Sequence, residues 1–239
     1  MRNRRYSIPK NILRSEIRNG LLASLPQNEL DLLQPWLEPF EFEFESILYE
    51  VGKPIEHFYF PCSGVVSLLA KVNGNSTIEV GLIGNEGMAG VSAFLGAPLS
   101  PSRAIIQGTG DALRITTGDL ERFGGSLKRP LLFYAHYLMV QISQSAACYR
   151  FHPIEQRLAR WLLMTGDRME SNEYGITQDF LSNMLGVRRE GVNRAAGVLQ
   201  KKNLISFSRR NIITIDRSGL EATACECYQR IRDEEKSLR

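Results

Sequence analysis

The chain has 239 residues, 43% of them hydrophobic, which is enough for one or two apolar cores. Its net charge of +3 is too small to diagnose a nucleic-acid partner, so any such case must rest on local clusters. No apolar run reaches the roughly eighteen residues a membrane span needs, and MRNRRYSIPK is not followed by the apolar stretch of a signal peptide, so a cytoplasmic protein without a membrane partner is expected.

The leader, Met1 to Gly20, carries Arg2, Arg4, Arg5 and Arg14 and is open to three readings: a mobile basic arm, a helix packed on the neighbouring domain, or a disordered segment. Glu41-Phe42-Glu43-Phe44-Glu45 alternates with period two, the mark of a strand with one buried face. Gly52, Gly64, Gly74, Gly81, Gly84, Gly87 and Gly90 then punctuate short apolar segments, which predicts an antiparallel roll or barrel. Pro130 suits the first turn of a long helix that His152-Pro153 closes, about 22 residues or roughly 33 Å on. Along it Leu131, Ala135, Leu138, Ile142, Ser145 and Tyr149 recur at 4,3,4,3,4 spacing. A two-helix coil and a single helix packed on the roll both produce that stripe.

Cys62, Cys148, Cys225 and Cys227 are too few and too scattered for a disulfide scaffold, and His57, His136 and His152 are equally dispersed. They are read as structural or incidental thiols, with redox sensing as the alternative, and as ordinary histidines. Without a two- or three-ligand spacing no metal site is expected.

The C-terminal third is the most informative. Thr177 is placed to cap a helix, Asp179 puts negative charge in its first turn, Leu181, Met184 and Leu185 form an apolar stripe, and Gly186 ends it. From Arg188 a second helix places Val192, Ala195, Ala196 and Leu199 within an arc of about 100°, with Arg189, Glu190, Asn193 and Arg194 on the far side. Those heads match base edges: arginine can donate twice to guanine, glutamate can accept from cytosine, asparagine can pair with adenine. Leu204–Phe207 and Ile212–Ile215 read as two strands around Ser208-Arg209-Arg210-Asn211, with Arg209 and Arg210 at a tip suited to phosphates. This is the plan of a winged helix-turn-helix, with Arg188, Arg189, Glu190, Asn193, Arg194, Arg209, Arg210, Thr177 and Gln178 as candidate DNA contacts. No G-x-x-x-x-G-K-[ST], H-E-x-x-H or G-x-S-x-G motif occurs, and no enzyme is expected.

The run GVRREGVNRAAGVLQKKNLI resembles the DNA-binding helix of the Crp/Fnr transcription regulators, close to G-V-S-R-E-T-V-N-R-A-L-x-x-L-x-x-x-G-L-I, and YFPCSGVVSLL, Tyr59 to Leu69, is similar to a segment of their cyclic-nucleotide-binding-like domain. The resemblance implies that Arg189, Glu190 and Arg194 read bases and that Asn193 tunes the site. It departs at Arg188, where Ser or Thr is usual, and at Gly191, where Thr is common. It further implies an α+β architecture: a leader over 1–25, an antiparallel β-roll sensor over 26–125, a dimerisation helix over 126–151 and a winged helix-turn-helix over 152–239. The long-helix stripe would then be the dimer interface, and the partners a double-stranded DNA operator, a second copy of the chain and, as a further candidate, RNA polymerase.

The ligand pocket is where the chain departs most. Relatives that bind cyclic nucleotides use a Gly-Glu pair for the ribose and an Arg before Ser/Thr-Ala for the phosphate, as a diol and an anion require. Here Gly90-Val91 and Ser102-Arg103-Ala104 stand at those places, without the carboxylate and with the arginine displaced by one residue, so Arg103 is expected to point away from the pocket. Another small ligand, a different signal or a ligand-free platform all remain open, with cAMP disfavoured. The candidate ligand residues are Glu86, Val91, Ser102, Arg103 and Ser143. An alternative for the whole chain is a ligand-binding regulator of this fold that has lost specific DNA binding.

Overall fold

The computed structural model describes residues 17–72, 77–123, 127–208 and 211–237. Arg209 and Arg210, and the leader arginines before residue 17, lie outside the described residues.

Two short helices, α1 (Gly20–Ala23) and α2 (Gln27–Leu33), precede a roll built from β1 (Glu38–Phe42), β2 (Ile47–Tyr49), β3 (His57–Pro61), β4 (Val65–Lys71), β5 (Thr77–Ile83), the helix α3 (Val91–Phe94), β6 (Arg103–Gly108) and β7 (Gly110–Thr116). The strands pair antiparallel in two sheets, ordered β2-β6-β4-β5 and β1-β7-β3, as the glycine-punctuated pattern predicts. Their apolar faces meet in a core that includes Phe42, Phe58, Phe60, Val66, Leu82 and Ile106. Asn19 caps α1 and donates to the carbonyls of Pro61 and Gly87 at 2.9 and 2.8 Å, so the end of the leader is fastened to the roll.

The first strand differs from the expected Glu41–Glu45. β1 stops at Phe42, because Glu45 turns the backbone with φ of 63° and gives its N–H to the Ile106 carbonyl. Phe44 therefore leaves the sheet, and its ring lies 5.4 Å from that of Phe180.

After α4 (Thr117–Phe123) comes the long helix α5 (Lys128–Phe151), closed as expected at His152, whose extended backbone leads into Pro153. The expected dimer stripe faces inward. Leu131, Ala135, Leu138 and Ser145 are buried within the protomer, and Ile142 and Tyr149 are half-buried. The helix packs on β5, where Gln141 bonds both the N–H and the carbonyl of Leu82 and the Tyr149 hydroxyl donates to the Glu79 carbonyl. These six residues are directed into the protomer, toward the roll and, at Ser145 and Tyr149, also toward Arg157 and Arg160 of the following helix. The same 4,3,4,3,4 spacing taken one residue later, Leu132, His136, Met139, Ser143, Ala146 and Arg150, is exposed throughout, about 100° around the helix.

The C-terminal part comprises α6 (Ile154–Met169), β8 (Glu173–Gly175), α7 (Gln178–Leu185), α8 (Arg189–Lys201), β9 (Ile205–Phe207), β10 (Ile212–Ile215), α9 (Arg217–Thr223) and α10 (Cys227–Lys236). β8, unforeseen in the sequence, adds a third strand to the expected hairpin in the order β8-β10-β9. α6 is its hub. Leu158, Ala159, Trp161, Leu162 and Leu163 are all buried, and polar side chains carry α6 onto the roll: Trp161 Nε1 donates to Glu79 at 2.9 Å, Gln107 Nε2 to Thr165 at 2.9 Å, and Arg168 pairs with Glu86 at 2.8 Å.

Candidate nucleic-acid interface and the groups behind it

The two helices of the reading unit are terminated as their residues dictate. The Thr177 hydroxyl accepts the Phe180 N–H at 3.1 Å at the start of α7. Gly186 ends that helix at φ 61°, a conformation that favours glycine, and a β-carbon there would press on Ile78 of β5 at 2.7 Å. The buried Arg157 guanidinium donates to the Leu185 carbonyl, adding a cation at the negative end of α7 and tying it to α6.

α8 divides as its periodicity predicts. Val192, Ala195, Ala196 and Leu199 are buried, while Arg188, Arg189, Glu190, Asn193 and Arg194 are all exposed on the other side. Arg188 occupies the N-cap position with extended backbone and makes no side-chain capping bond among the described residues, so its guanidinium is available to a partner. Arg189 reaches Asp179 on α7 at 3.2 Å, both side chains largely in solvent. A competing phosphate or base can displace such a pair at little cost. Gly191 faces Ile154, where a β-carbon would stand 3.3 Å from Cδ1, so a larger residue would require the end of the Ile154 side chain to give by a few tenths of an ångström. Gln178 and Thr177 are half-buried at the start of α7. Behind Thr177 a cleft of about 280 Å³ opens between roll and reading unit, lined among others by Phe44, Gln107, Met169 and Tyr174.

The expected ligand residues are not brought together around one cavity, and Glu86, Arg103 and Ser102 have other engagements. Glu86 accepts the Gly84 N–H and two bonds from Arg168, and only 8% of its side chain is exposed. Arg103 pairs with Glu50 at 2.7 Å at the rim, while its neighbour Ala104 is the buried residue, so the arginine does turn away from the interior. The Ser102 carbonyl accepts the Ser100 hydroxyl, Val91 is buried at the start of α3, and Ser143 stands exposed on the outer face of α5. Tyr49, buried and hydrogen-bonded to the Gly90 backbone, occupies the space beside the Gly90-Val91 turn, and burial pushes its phenol well above the usual range.

Two buried polar groups were not anticipated. Glu79 on β5 is 4% exposed, and burial raises its carboxyl from an ordinary 4.5 to about 7. Ser67 lies 2.8 Å from Glu79 Oε2 and 2.6 Å from Gln107 Oε1, yet its hydroxyl has one proton. The chain is satisfied when protonated Glu79 donates to Ser67, Ser67 to Gln107, and Gln107 to Thr165.

The second group gathers residues the sequence scatters. Cys148 in the last turn of α5, His152 at its cap, and Cys225 and Cys227 around the start of α10 have ligand atoms that all lie within 4.8 Å of one another. Hydrogen bonding from Cys225, together with the charge of buried Arg160, holds the Cys148 thiol down at about 5. The expectation of dispersed thiols is thus corrected by tertiary structure. A signal existed: Cys148 and His152 are four apart at a helix end, and Cys225-x-Cys227 forms a second pair.

Residues 156–223 match the family model of the Crp-like helix-turn-helix domain. Over 221 residues, 87% of this chain and 97% of the relative, the chain is 23% identical to a CRP-like cAMP-activated global transcriptional regulator of Mycobacterium tuberculosis (strain CDC 1551 / Oshkosh). Its fold is similar to that of FixK2 from Bradyrhizobium japonicum (TM-score 0.67, 16% identity, 79% of this chain and 98% of that one). It is similar too to the c-di-GMP responsive global regulator CLP of Xanthomonas campestris (TM-score 0.63, 17% identity, 80% and 99%). No helix among the described residues is long and apolar enough to cross a membrane.

Proposed function

We propose that the chain is a Crp/Fnr-type transcription regulator that binds a palindromic double-stranded DNA operator as a homodimer, a reading supported by the Crp-like helix-turn-helix match over residues 156–223, the similarity to a CRP-like regulator and the shared fold. The observation that carries this is the division of α8, whose buried face fixes the helix while Arg189, Glu190, Asn193 and Arg194 are presented to solvent. Inserted in a major groove, arginine reads guanine, glutamate reads cytosine and asparagine adenine, while Arg188, and Arg209 and Arg210 from outside the described residues, are the candidates to neutralise phosphates. Intact base-reading types speak against the alternative of a regulator without specific DNA binding.

Two copies pair through the exposed seam of α5, Leu132, His136, Met139, Ser143, Ala146 and Arg150, which places two recognition helices about one turn of DNA apart. The roll does not respond to cAMP, although the mycobacterial relative is named as cAMP-activated. The Gly90-Val91 turn carries no carboxylate, Arg103 is held by Glu50, and Tyr49 fills the adjoining interior. The effector is another small molecule or none, and the protein works in the cytoplasm with RNA polymerase as its further partner.

Selection of bound DNA from a random pool tests the reading. The chain should enrich a palindrome without added ligand. Arg189→Ala and Arg194→Ala should each lose about 1–3 kcal/mol of discrimination at a defined base while the unfolding temperature stays put. No enrichment, or enrichment unchanged by both substitutions, would overturn it.

A further inference from the structure

We propose that Cys148, His152, Cys225 and Cys227 bind a single zinc ion as a closed four-ligand site. The inference stands apart from the DNA-reading proposal and needs none of its residues.

Distance is the first argument. With Zn–S bonds of about 2.3 Å and Zn–N of about 2.0 Å, neighbouring ligand atoms of a tetrahedral site lie about 3.5–3.8 Å apart. Cys148 Sγ is 3.5 Å from Cys225 Sγ, Cys227 Sγ is 3.5 Å from His152 Nδ1, and all four ligand atoms lie within 4.8 Å of one another. A cluster of several irons would spread the sulfurs farther apart. A disulfide would need about 2.05 Å and would leave Cys227 and His152 unexplained. Three soft sulfurs and one imidazole around a single point are the donor set zinc prefers.

The surroundings fit the same ion. His152 turns Nδ1 to the thiols and Nε2 to the Glu226 carboxylate at 3.3 Å, the arrangement that fixes the tautomer of a metal-bound imidazole. Gln144 Nε2 donates to Cys227 Sγ at 3.0 Å. Three thiolates and Zn²⁺ carry a net charge of −1. Arg160, 2% exposed with its Nε unpartnered among the described residues, feels the charges of Cys148 and Cys225 and supplies the opposing cation. Cys148, Cys225 and Cys227 form a small buried cluster of their own, separate from the main apolar core.

Four protein ligands leave no open position, so the role is structural. The ion joins the last turn and cap of α5 to the start of α10. It therefore braces the His152-Pro153 break, where the long helix hands over to the DNA-reading unit.

The test is metal analysis of the full chain purified without chelators. One zinc per chain is expected, retained through dialysis and released when an organomercurial titrates the thiols. Cobalt(II) in its place should give the intense visible bands of a tetrahedral ion with thiolate charge transfer. Cys225→Ser with Cys227→Ser should lower bound metal at least about tenfold, whereas Cys62→Ser should keep it. His152→Cys preserves four ligands and guards against simple misfolding: it should retain the metal and raise the thiolate charge transfer by about one third. Glu226→Gln should weaken zinc about 10–100-fold in chelator competition. A folded chain with less than about a tenth of an equivalent of zinc and no tetrahedral cobalt spectrum would overturn the proposal, as would a Cys148–Cys225 disulfide in chain isolated anaerobically.

Discussion

The outer face of α8 and the interior of the roll handle polar side chains in opposite ways. On α8, Arg188, Glu190, Asn193 and Arg194 stand in solvent, and Arg189 is held only by an exposed pair that a ligand can displace. In the roll, Glu79, Glu86 and Arg103 are each consumed by a partner within the chain. A surface that must bind something else leaves its donors free. A region whose donors are internally satisfied is organised to hold two units together, because an unpaired buried group costs far more than an unpaired exposed one.

Trp161 offers the largest test of that contrast. It is fully buried on α6 and bonded to Glu79 of the roll, so Trp161→Ala should cost about 3–5 kcal/mol and lower the unfolding temperature by roughly 10 °C. Calorimetry showing an unchanged transition would mean that α6 does not depend on this docking.

Glu79 sharpens the contrast through pH. Its carboxyl titrates near 7 in the folded chain and near 4.5 when unfolded, so the folded state holds a proton the unfolded state has released between those values. That stability is present in full below about pH 4.5 and is lost as pH rises through 7. Glu79→Gln should remove the loss and stabilise the chain at pH 8 by about 3 kcal/mol relative to the parent. Denaturant midpoints for the two proteins that stay parallel from pH 4.5 to 8 would refute the assignment.

Arg188→Ser acts on the solvent-facing side. It should restore a cap worth about 1 kcal/mol of stability and weaken DNA binding, reducing the salt slope by about one unit. Unchanged affinity and slope would remove Arg188 from the phosphate contacts. The smallest effect is expected for Arg103→Ala, whose pair with Glu50 is a third exposed: below about 1 kcal/mol in stability, and no new or lost response to cAMP in DNA binding. A measurable cAMP response that disappears in the variant would restore Arg103 to the pocket.

The reading unit was legible residue by residue because its determinants are local. Thr177, Gly186 and the two faces of α8 follow from cap chemistry and 3.6-residue periodicity, and the structure places them accordingly. The long helix was legible in its extent but not in its orientation. A stripe at 4,3 spacing marks a face to be covered without saying by what, and here the roll covers the face of Leu131, leaving that of Leu132 outside. Phe44 misled for a related reason, since alternation cannot reveal that Glu45 turns the strand away.

The amino-acid sequence by itself determined the helix-turn-helix, the exposed polar face of α8 and the absence of a carboxylate at Val91, because these depend on residue type and on neighbours a few positions apart. Tertiary structure alone decided which face of α5 is buried, that Glu79 and Trp161 meet across 82 residues, and that Cys148 and His152 stand beside Cys225 and Cys227. Those depend on how separate elements pack, and contacts between residues far apart in the chain leave no periodicity along it.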